Sequence, residues 1–534
     1  MRRLYTMIKT ATALGVLLGA VHAYAQTMQT APVASDANSN ANTANTASTN
    51  ASTAAAASAQ LLLRGIPTGR PVNKETLTPA AFTALLQAKS PALLQIAGTP
   101  KCTVSLYSLG YRTVGGHGEP TTATTGVMLP SGSAAGCSGT HPVVLYSHGT
   151  STDKHYDATN LNGDIDGEDD ALLVAAVFAA QGYTVVMPNY AGYAGSTLSY
   201  APFLNADQQS ADMIDALRAS RIGFPSVLVD SIVNKLFVTG YSQGGYVAAA
   251  TLRAMQQLPL EFHPVAMAAG SGPYALSHLV DEEIDGAPSA SAPLLFGLVT
   301  DSWQNSYNNV YRVPTEAFAP QYAARAPTLF PTTESEATLF AENVIPATAL
   351  FEAGSLPPPN LSNPDTALVV QSGFAATNFF LNTSFREQLV ADVAANPCSD
   401  ATGQPIANCA PTTGFRQDAL RNDLLNFKPK VPLQLCGAHS DSVVYFSNAQ
   451  IAAKFFQQEG VDASQLTLID VDPGNAAPSG PFAALQAGFS AARAQDAAQL
   501  GNTPTGQLEL SIDIHTLAAP FCVVAARSFF QSIK

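Results

Sequence analysis

One serine, Ser242, stands between glycines in the run Gly240-Tyr241-Ser242-Gln243-Gly244-Gly245. An apolar stretch at 236–238 precedes this run and small residues at 246–250 follow it, so a strand is predicted to turn directly into a helix. Glycines beside the serine permit a turn that larger side chains would block. Such a turn exposes the serine hydroxyl, and the helix N-terminus offers backbone N–H groups to a developing oxyanion. The G-x-S-x-G spacing therefore predicts a nucleophilic serine.

A serine hydroxyl becomes a strong nucleophile only when a base takes its proton and a third group orients that base. When a serine lies in this kind of turn, the acid and then the histidine follow it along the chain. His515 is the predicted base, because it precedes an apolar C-terminal helix predicted at 517–530. His148 lies upstream of the serine and is expected to be structural. Three further histidines follow the serine and were weighed as alternatives: His263, His278 and His439.

The predicted acid is Asp441, which lies in a turn after the predicted strand 431–436. An ordinary turn-forming aspartate is the alternative interpretation of this residue. Asp470 and Asp472 follow the next predicted strand and are the second choice for the acid. Asp513 is close to the predicted base in sequence, but in a predicted strand it would face along the chain rather than toward the imidazole.

Two backbone N–H groups are needed to stabilise the oxyanion. We expect one from Gln243, directly after the serine, and one from the turn after an earlier buried strand, where Thr150 is preferred with Gly149 behind it. Tyr190 and Tyr241 are the candidates for contacting the substrate, and buried packing is the alternative for Tyr190. No cofactor is expected.

Six cysteines suggest disulfides if the chain is exported, although the sequence alone does not choose among their connectivities. A metal site is not predicted, because no C-x-x-C motif or Cys/His cluster is present. The preferred pairing is sequential, with the second pair closing a short loop and the third joining a strand to the C-terminal helix: Cys102 with Cys137, Cys398 with Cys409, and Cys436 with Cys522.

The acidic run 162–170 has two interpretations. Oxygen-bearing residues at alternate positions and Gly167 resemble the start of a calcium-binding loop. The twelfth position is Leu173, however, where that loop requires a glutamate. Acidic residues at the N-terminus of a helix beginning near Ala171 explain the run equally well.

The N-terminal residues 1–25 are typical of a cleaved export signal. They combine a basic start, an apolar stretch at 11–21 and the small-residue motif Ala23-Tyr24-Ala25. Residues 26–60 are almost all Ala, Ser, Thr, Asn and Gln, a composition with too little apolar bulk to offset the entropy of ordering. We therefore predict a signal peptide, a disordered leader and a protein exported to the periplasm or the medium.

The net charge of −14, with only 25 Lys and Arg residues, argues against binding to nucleic acid or to anionic membranes. After the N-terminal signal, no uninterrupted apolar stretch is long enough for a membrane span, so stable membrane insertion is not expected. The oligomeric state stays open.

Strand and helix patterns alternate from about residue 100, which indicates a mostly parallel sheet. From 276 to 428 the pattern changes to helical fragments rich in Pro, Ala and aromatic residues. We predict a core formed by 61–275 and 429–534, with a mainly helical cap inserted at 276–428.

The segments 100–275 and 429–534 resemble secreted bacterial α/β-hydrolases of the lipase/esterase type. The matching motifs are 146–150, 182–190 and 240–245. The long insertion is similar to the cap of secretory lipases and of exported esterases that attack plant cell walls. The resemblance implies an α/β-hydrolase fold, with a mostly parallel central sheet and a cap over the acyl site.

These observations together predict a secreted serine carboxylester hydrolase that acts through an acyl-enzyme, with an ester as substrate. A secreted serine peptidase of the same fold is the first alternative. A non-catalytic binding protein is the second.

Overall fold

The structure is a computed structural model that describes residues 64–161, 167–228 and 235–533. The predicted signal peptide (1–25), the predicted leader (26–60) and the part of the acidic run at 162–166 lie outside the described residues.

The described residues form eleven strands: β1 (Val72–Leu77), β2 (Thr103–Val114), β3 (Pro120–Ser131), β4 (Val143–Ser147), β5 (Thr184–Pro188), β6 (Leu236–Tyr241), β7 (Pro264–Gly270), β8 (Phe351–Glu352), β9 (Phe374–Ala375), β10 (Leu433–Gly437) and β11 (Leu466–Asp470). Nine of them build the central sheet, in the order β1-β2-β3-β5-β4-β6-β7-β10-β11. The short strands β8 and β9 pair with each other in a separate sheet.

The central sheet is antiparallel on one side and parallel on the other. β1 to β3 pair antiparallel, and β3 runs antiparallel to β5. From β5 to β11 every neighbouring pair is parallel. All residues of β4, β5, β6 and β10 are buried, because parallel strands are covered by helices on both faces. This explains why these strands read as continuous apolar runs in the sequence.

The described residues also form sixteen α-helices: α1 (Pro79–Lys89), α2 (Pro91–Ala97), α3 (Glu168–Val177), α4 (Ala206–Gly223), α5 (Pro225–Leu228), α6 (Gln243–Met255), α7 (Leu276–Ile284), α8 (Ala292–Tyr307), α9 (Pro314–Ala317), α10 (Glu336–Ala341), α11 (Ala367–Ser372), α12 (Thr383–Ala395), α13 (Gly414–Arg421), α14 (Ser447–Gln458), α15 (Ala483–Leu500) and α16 (Pro504–Ser532). Helices α4 and α6 pack together against the sheet. Helix α16 packs against β6, β7 and β10 together with α2 and α3.

Two sequence-based expectations about helices need correction. The C-terminal helix begins at Pro504, so His515 lies inside the helix and not before it. The side chain of Thr503 accepts a hydrogen bond from the backbone N–H of Gly506, and proline occupies the first helical position, a start signal that is visible in the sequence. The helix expected to begin near Ala171 begins earlier, at Glu168, and ends at Val177, after which a short 3₁₀ turn follows.

The chain between β7 and β10 contains seven of the helices, α7 to α13, and the small β8–β9 sheet. A buried arginine, Arg416, ties three parts of this segment together. It donates two hydrogen bonds to Asp281, of 2.7 and 2.8 Å, and lies 3.1 Å from Asp392. Burial alone would raise the pKa of Asp392, but hydrogen bonds from Thr412 and Thr413 hold it well below its usual range. Asp392 is therefore ionised opposite the guanidinium.

A second buried arginine, Arg386 on α12, fixes the end of α7. It donates to the carbonyl oxygens of Ile284 (3.1 Å) and Pro357 (2.7 Å) and to the hydroxyl of Ser355 (2.7 Å). Its guanidinium lies 4.1 Å from the centre of the Phe351 ring. A guanidinium buried in this way stays stable because hydrogen bonds and an aromatic face replace its water.

Three disulfides cross-link the described residues in the sequential order expected from the sequence. Cys102–Cys137 joins the start of β2 to the loop after β3, and Cys398–Cys409 closes a loop after α12. Cys436–Cys522 joins β10 to α16. The last of these links two elements that are separated by 86 residues.

The disulfides are expected to contribute unequally to stability. Replacing Cys436 and Cys522 together by Ala should lower the free energy of unfolding by about 2 kcal/mol more than replacing Cys398 and Cys409, because a cross-link restricts the unfolded chain more when it closes a longer loop. Urea unfolding followed by fluorescence measures both differences. Equal losses, or a larger loss for the short loop, would contradict this expectation.

Candidate active site

The turn at Ser242 connects β6 directly to α6 without an intervening loop. The backbone of Ser242 has φ 59° and ψ −127°, a conformation that non-glycine residues rarely adopt and that costs conformational energy. Its N–H donates a 2.7 Å hydrogen bond to the carbonyl oxygen of Gly270, at the end of β7. The strained turn is therefore held in place by the neighbouring strand.

Two glycines of the motif are required by space. A Cβ atom at Gly244 would overlap the carbonyl oxygens of Ser147 and His148, and one at Gly240 would overlap the carbonyl oxygens of Ser147 and Gly244. The hydroxyl of Ser147 donates to the carbonyl oxygens of Thr239 (3.0 Å) and Gly244 (2.8 Å). The end of β4 thus packs directly against the turn, and only glycine allows that approach.

Ser242, His515 and Asp441 form a continuous hydrogen-bonded chain. The hydroxyl of Ser242 lies 2.7 Å from Nε2 of His515, and Nδ1 of the same ring lies 2.7 Å from Oδ2 of Asp441. With Nδ1–H donating to the carboxylate, Nε2 is left to accept the serine proton. All three residues are at most 4% exposed. The arrangement is that of a nucleophile, a base and an orienting acid.

The loop after β10 holds Asp441 in this position. Its second carboxylate oxygen accepts hydrogen bonds from the backbone N–H groups of Val443 (2.9 Å) and Val444 (3.0 Å). The hydroxyl of the adjacent Ser442 donates to the carbonyl oxygen of Ser511 in α16 (2.7 Å). The two backbone donors fix the orientation of the carboxylate, and the contact with α16 sets the acid beside the helix that carries the histidine.

Two contacts position His515: a hydrogen bond to its own backbone and a disulfide further along the same helix. The hydroxyl of Tyr241 donates a 2.5 Å hydrogen bond to the backbone carbonyl of His515. Two helical turns further along, Cys522 is bonded to Cys436, five residues before Asp441. The histidine helix is thereby attached both to the serine turn and to the strand that precedes the acid.

The alternative acids lie in other surroundings. Asp470 accepts the backbone N–H of His439, and Asp472 accepts hydrogen bonds from Arg493. Asp513 lies in a helix and not in a strand; burial, with Asp496 and Glu509 nearby, raises its pKa to about 7.

The remaining histidines also have other roles. His263 and His439 are exposed, and His278 pairs with the hydroxyl of Ser399 at 3.0 Å. His148 is fully buried and stacks on two tyrosine rings, with centroid distances of 4.0 and 3.6 Å, and burial lowers its pKa well below the usual value.

The expected oxyanion donors lie beside the serine. Gln243 and Thr150 both line the cavity that reaches Ser242. In the parts of the chain that the structure describes, neither backbone N–H group donates a hydrogen bond to a protein acceptor. Gly149 does not line this cavity, and its carbonyl oxygen contacts Nδ1 of His148. Gln243 and Thr150 are therefore the better pair of candidates.

The two tyrosines expected to contact substrate are not among the residues that line the cavity at Ser242. Tyr190 donates a 2.6 Å hydrogen bond to the carbonyl oxygen of His148 and stacks on its ring. Tyr241 donates to the carbonyl oxygen of His515. A buried tyrosine hydroxyl needs a hydrogen-bond partner, and both hydroxyls find one in the backbone that supports the site.

The cavity at Ser242 has a volume of about 80 Å³. Most of its lining is apolar, and much of it comes from α7 and α8, in the segment between β7 and β10. Sequence analysis did not identify these residues. Their helical spacing was visible, but the face that meets the serine depends on how the helices pack. The polar lining residues are Thr150, Ser242, Gln243 and Glu283.

The residues that the structure describes include no metal-binding cluster and one long apolar helix. No group of three or more His, Cys, Asp or Glu side chains could hold a metal ion there. In the acidic run, Glu168 to Asp170 form the first turn of α3, and Glu168 pairs with Lys89. Helix α16 is long and apolar enough to cross a membrane, but half of its apolar window is buried within the molecule.

Comparison with solved structures identifies similar proteins. The esterase LipA from Xanthomonas oryzae, described as degrading the rice cell wall, is 26% identical; the match covers 88% of this chain and 100% of LipA, with a TM-score of 0.65. A hydrolase of unproven function from Legionella pneumophila is 17% identical over 88% of this chain and 98% of its own, with a TM-score of 0.61. No protein-family profile and no curated protein sequence matches the chain.

These similarities and the mostly parallel, helix-covered sheet confirm the predicted α/β-hydrolase fold. Esterases and hydrolases share its overall structure. The site at Ser242 lies at the carboxyl ends of the parallel strands, where open α/β sheets bind their ligands.

Replacing Asp441 by Asn should slow the reaction of Ser242 with a fluorophosphonate reagent at least 100-fold, because the imidazole loses its orienting carboxylate. Intact-protein mass spectrometry over time gives the labelling rate. Asp470→Asn is the matched control, expected within a few-fold of the unmodified protein. Comparable rates for the two variants would show that Asp441 does not orient the histidine.

Proposed function

We propose that this protein is a serine carboxylester hydrolase that works through an acyl-enzyme. The observation that carries the proposal is the pair of 2.7 Å hydrogen bonds that link Ser242 to His515 and His515 to Asp441. The 26% identity to an esterase over the full length of that protein supports the same reaction class.

In the first half-reaction, Oγ of Ser242 attacks the ester carbonyl carbon while Nε2 of His515 takes the hydroxyl proton. The carbonyl oxygen becomes an oxyanion, for which the backbone N–H groups of Gln243 and Thr150 are the proposed donors. The carbon–oxygen bond to the alcohol then breaks. His515 returns its proton to the leaving alkoxide, and the acyl group stays on the serine.

In the second half-reaction, water replaces the alcohol. Nε2 of His515 takes a proton from the water, and the hydroxide attacks the acyl carbon. The second tetrahedral intermediate uses the same donors. As this intermediate collapses, the bond from the acyl carbon to Oγ breaks and His515 returns its proton to Oγ, which releases the carboxylic acid and restores the serine hydroxyl. Throughout both steps, Asp441 stabilises the imidazolium that forms and keeps Nδ1 protonated.

Two further proposals follow from the same fold. Residues 276–428 act as a cap, since several residues of α7 and α8 line the cavity at the serine. The protein functions outside the cytoplasm, and its three disulfides support this location because they persist in oxidising compartments.

Plant cell-wall esters are one class of substrate to test, because LipA is described as degrading the rice cell wall.

Hydrolysis of p-nitrophenyl esters from C2 to C16 tests the proposed function. The unmodified protein should hydrolyse part of the series, and Ser242→Ala should reduce kcat about 10⁴-fold or more, because the nucleophile is lost. Ser138→Ala, at an exposed loop position, is the control and should leave activity unchanged.

Activity of Ser242→Ala within a few-fold of the unmodified protein would overturn the proposal. Cleavage of a peptide panel without cleavage of any ester would instead favour the serine peptidase. Inactivity toward both substrate classes would favour the non-catalytic alternative.

A further inference from the structure

One face of α7 lines the cavity at the serine. Leu276, Leu279, Val280 and Glu283 all contribute to its wall. Their spacing of three, four and seven residues places them on the same side of the helix. Three of the four are apolar, so the helix presents an aliphatic strip that ends in a carboxyl group.

Among the described residues that line this cavity, Glu283 is the one with an ionisable side chain. Its neighbours in the lining include Leu295, Val299 and Val443. Burial raises its pKa to about 7, and hydrogen bonding with Ser289 opposes part of this rise. A carboxyl group in such apolar surroundings costs free energy unless a polar partner compensates for the lost water.

The nearby acidic residue Asp281 of α7 shows what Glu283 lacks. Asp281 receives two hydrogen bonds from Arg416, and Glu282 lies 3.9 Å from Nε2 of His278. In the described residues, no Lys, Arg or His forms an ion pair with Glu283, and the charged group that influences it is Glu282. Asp281 therefore serves the packing of the segment through Arg416, whereas Glu283 faces the cavity without a cation.

We propose that Glu283 binds a hydrogen-bond donor at the far end of the substrate group that fills this cavity. The inference rests on the proposed function and specifies its substrates: esters of short groups that end in a hydroxyl or an ammonium, preferred over plain aliphatic esters of the same length. Glu283 is a specificity-determining residue and takes no part in the bond-breaking steps.

The dimensions of the helix support this assignment. Leu276 and Glu283 are seven residues apart, which corresponds to about 10 Å along the helix axis. The aliphatic strip suits the methylene groups of a short chain, and the carboxyl group stands at the end of the strip. A site built to hydrogen-bond a polar group discriminates strongly against an analogue without that group, because its buried polar atoms are left unpaired.

Matched esters test the inference. The probes are p-nitrophenyl hexanoate, 6-hydroxyhexanoate and 6-aminohexanoate, and kcat/KM is measured for each with the unmodified protein, Glu283→Gln and Glu283→Leu. The unmodified protein should prefer the hydroxyl or the ammonium ester over the hexanoate. In Glu283→Leu this preference should fall at least tenfold, with hexanoate turnover retained or increased, because an apolar residue completes the aliphatic strip.

Glu283→Gln, measured with the hydroxyl and ammonium esters, shows whether Glu283 acts as a hydrogen-bond acceptor or through its charge. Glu283→Gln should keep much of the preference for the hydroxyl ester and lose that for the ammonium ester, since an amide accepts a hydrogen bond but carries no charge. Glu387→Gln is the control, because this glutamate is exposed on α12 and does not line the cavity, and its preferences should be unchanged. Competitive inhibition by 1-hexanol and 1,6-hexanediol gives a second measurement that does not depend on turnover.

The outcomes separate this inference from the proposed function. Active protein whose preferences are the same in all variants, or which favours hexanoate throughout, overturns the role of Glu283 and leaves the esterase proposal intact. Absence of hydrolysis of every ester by the unmodified protein overturns the proposed function, and the role of Glu283 with it. Loss of all turnover in Glu283→Leu together with unchanged inhibitor binding also contradicts a role in specificity.

Discussion

The strained turn at Ser242 is the constraint on which the rest of the structure depends. A serine with φ 59° is stable only because the surrounding strands fix its backbone. The turn is held by the carbonyl oxygen of Gly270 on one side and by the hydroxyl of Ser147 on the other. Both contacts come from strands adjacent to β6. The close approach leaves no room for a side chain at Gly240 or Gly244. The glycine motif is therefore needed for β4 to pack against the turn, and this packing fixes the position of the serine hydroxyl.

The proposed base and acid reach this hydroxyl from distant parts of the chain. His515 follows the serine by 273 residues and Asp441 precedes the histidine by 74. Three contacts hold these distant segments together. The Tyr241 hydroxyl donates to the backbone of His515, the Ser442 hydroxyl donates to the backbone of α16, and a disulfide joins β10 to α16. Several independent attachments hold the imidazole in one orientation, which a reaction through a serine nucleophile requires.

The segment between β7 and β10 forms much of the cavity wall at the serine. Its interior is fixed by two buried arginines: Arg416, which binds Asp281, and Arg386, which binds the backbone at the end of α7. These contacts anchor both the middle and the end of the helix whose other face meets the cavity. The central sheet and α16 therefore carry Ser242, Asp441 and His515, while a separately stabilised helical layer supplies most of the apolar wall and the carboxyl group of Glu283.

The sequence by itself determined the features that depend on local pattern. The apolar runs predicted the parallel strands, and the glycine spacing predicted the turn at Ser242. The order of elements predicted which aspartate and histidine would meet the serine. The apolar run alone predicts a helix that begins after His515, whereas the Thr503–Pro504 start signal places His515 inside the helix. Only the tertiary structure decided that Tyr190 and Tyr241 support the backbone and that Glu283 faces the cavity. The physical reason is that periodicity shows which residues share a face, whereas the partner of that face is set by packing between elements that are far apart in the chain.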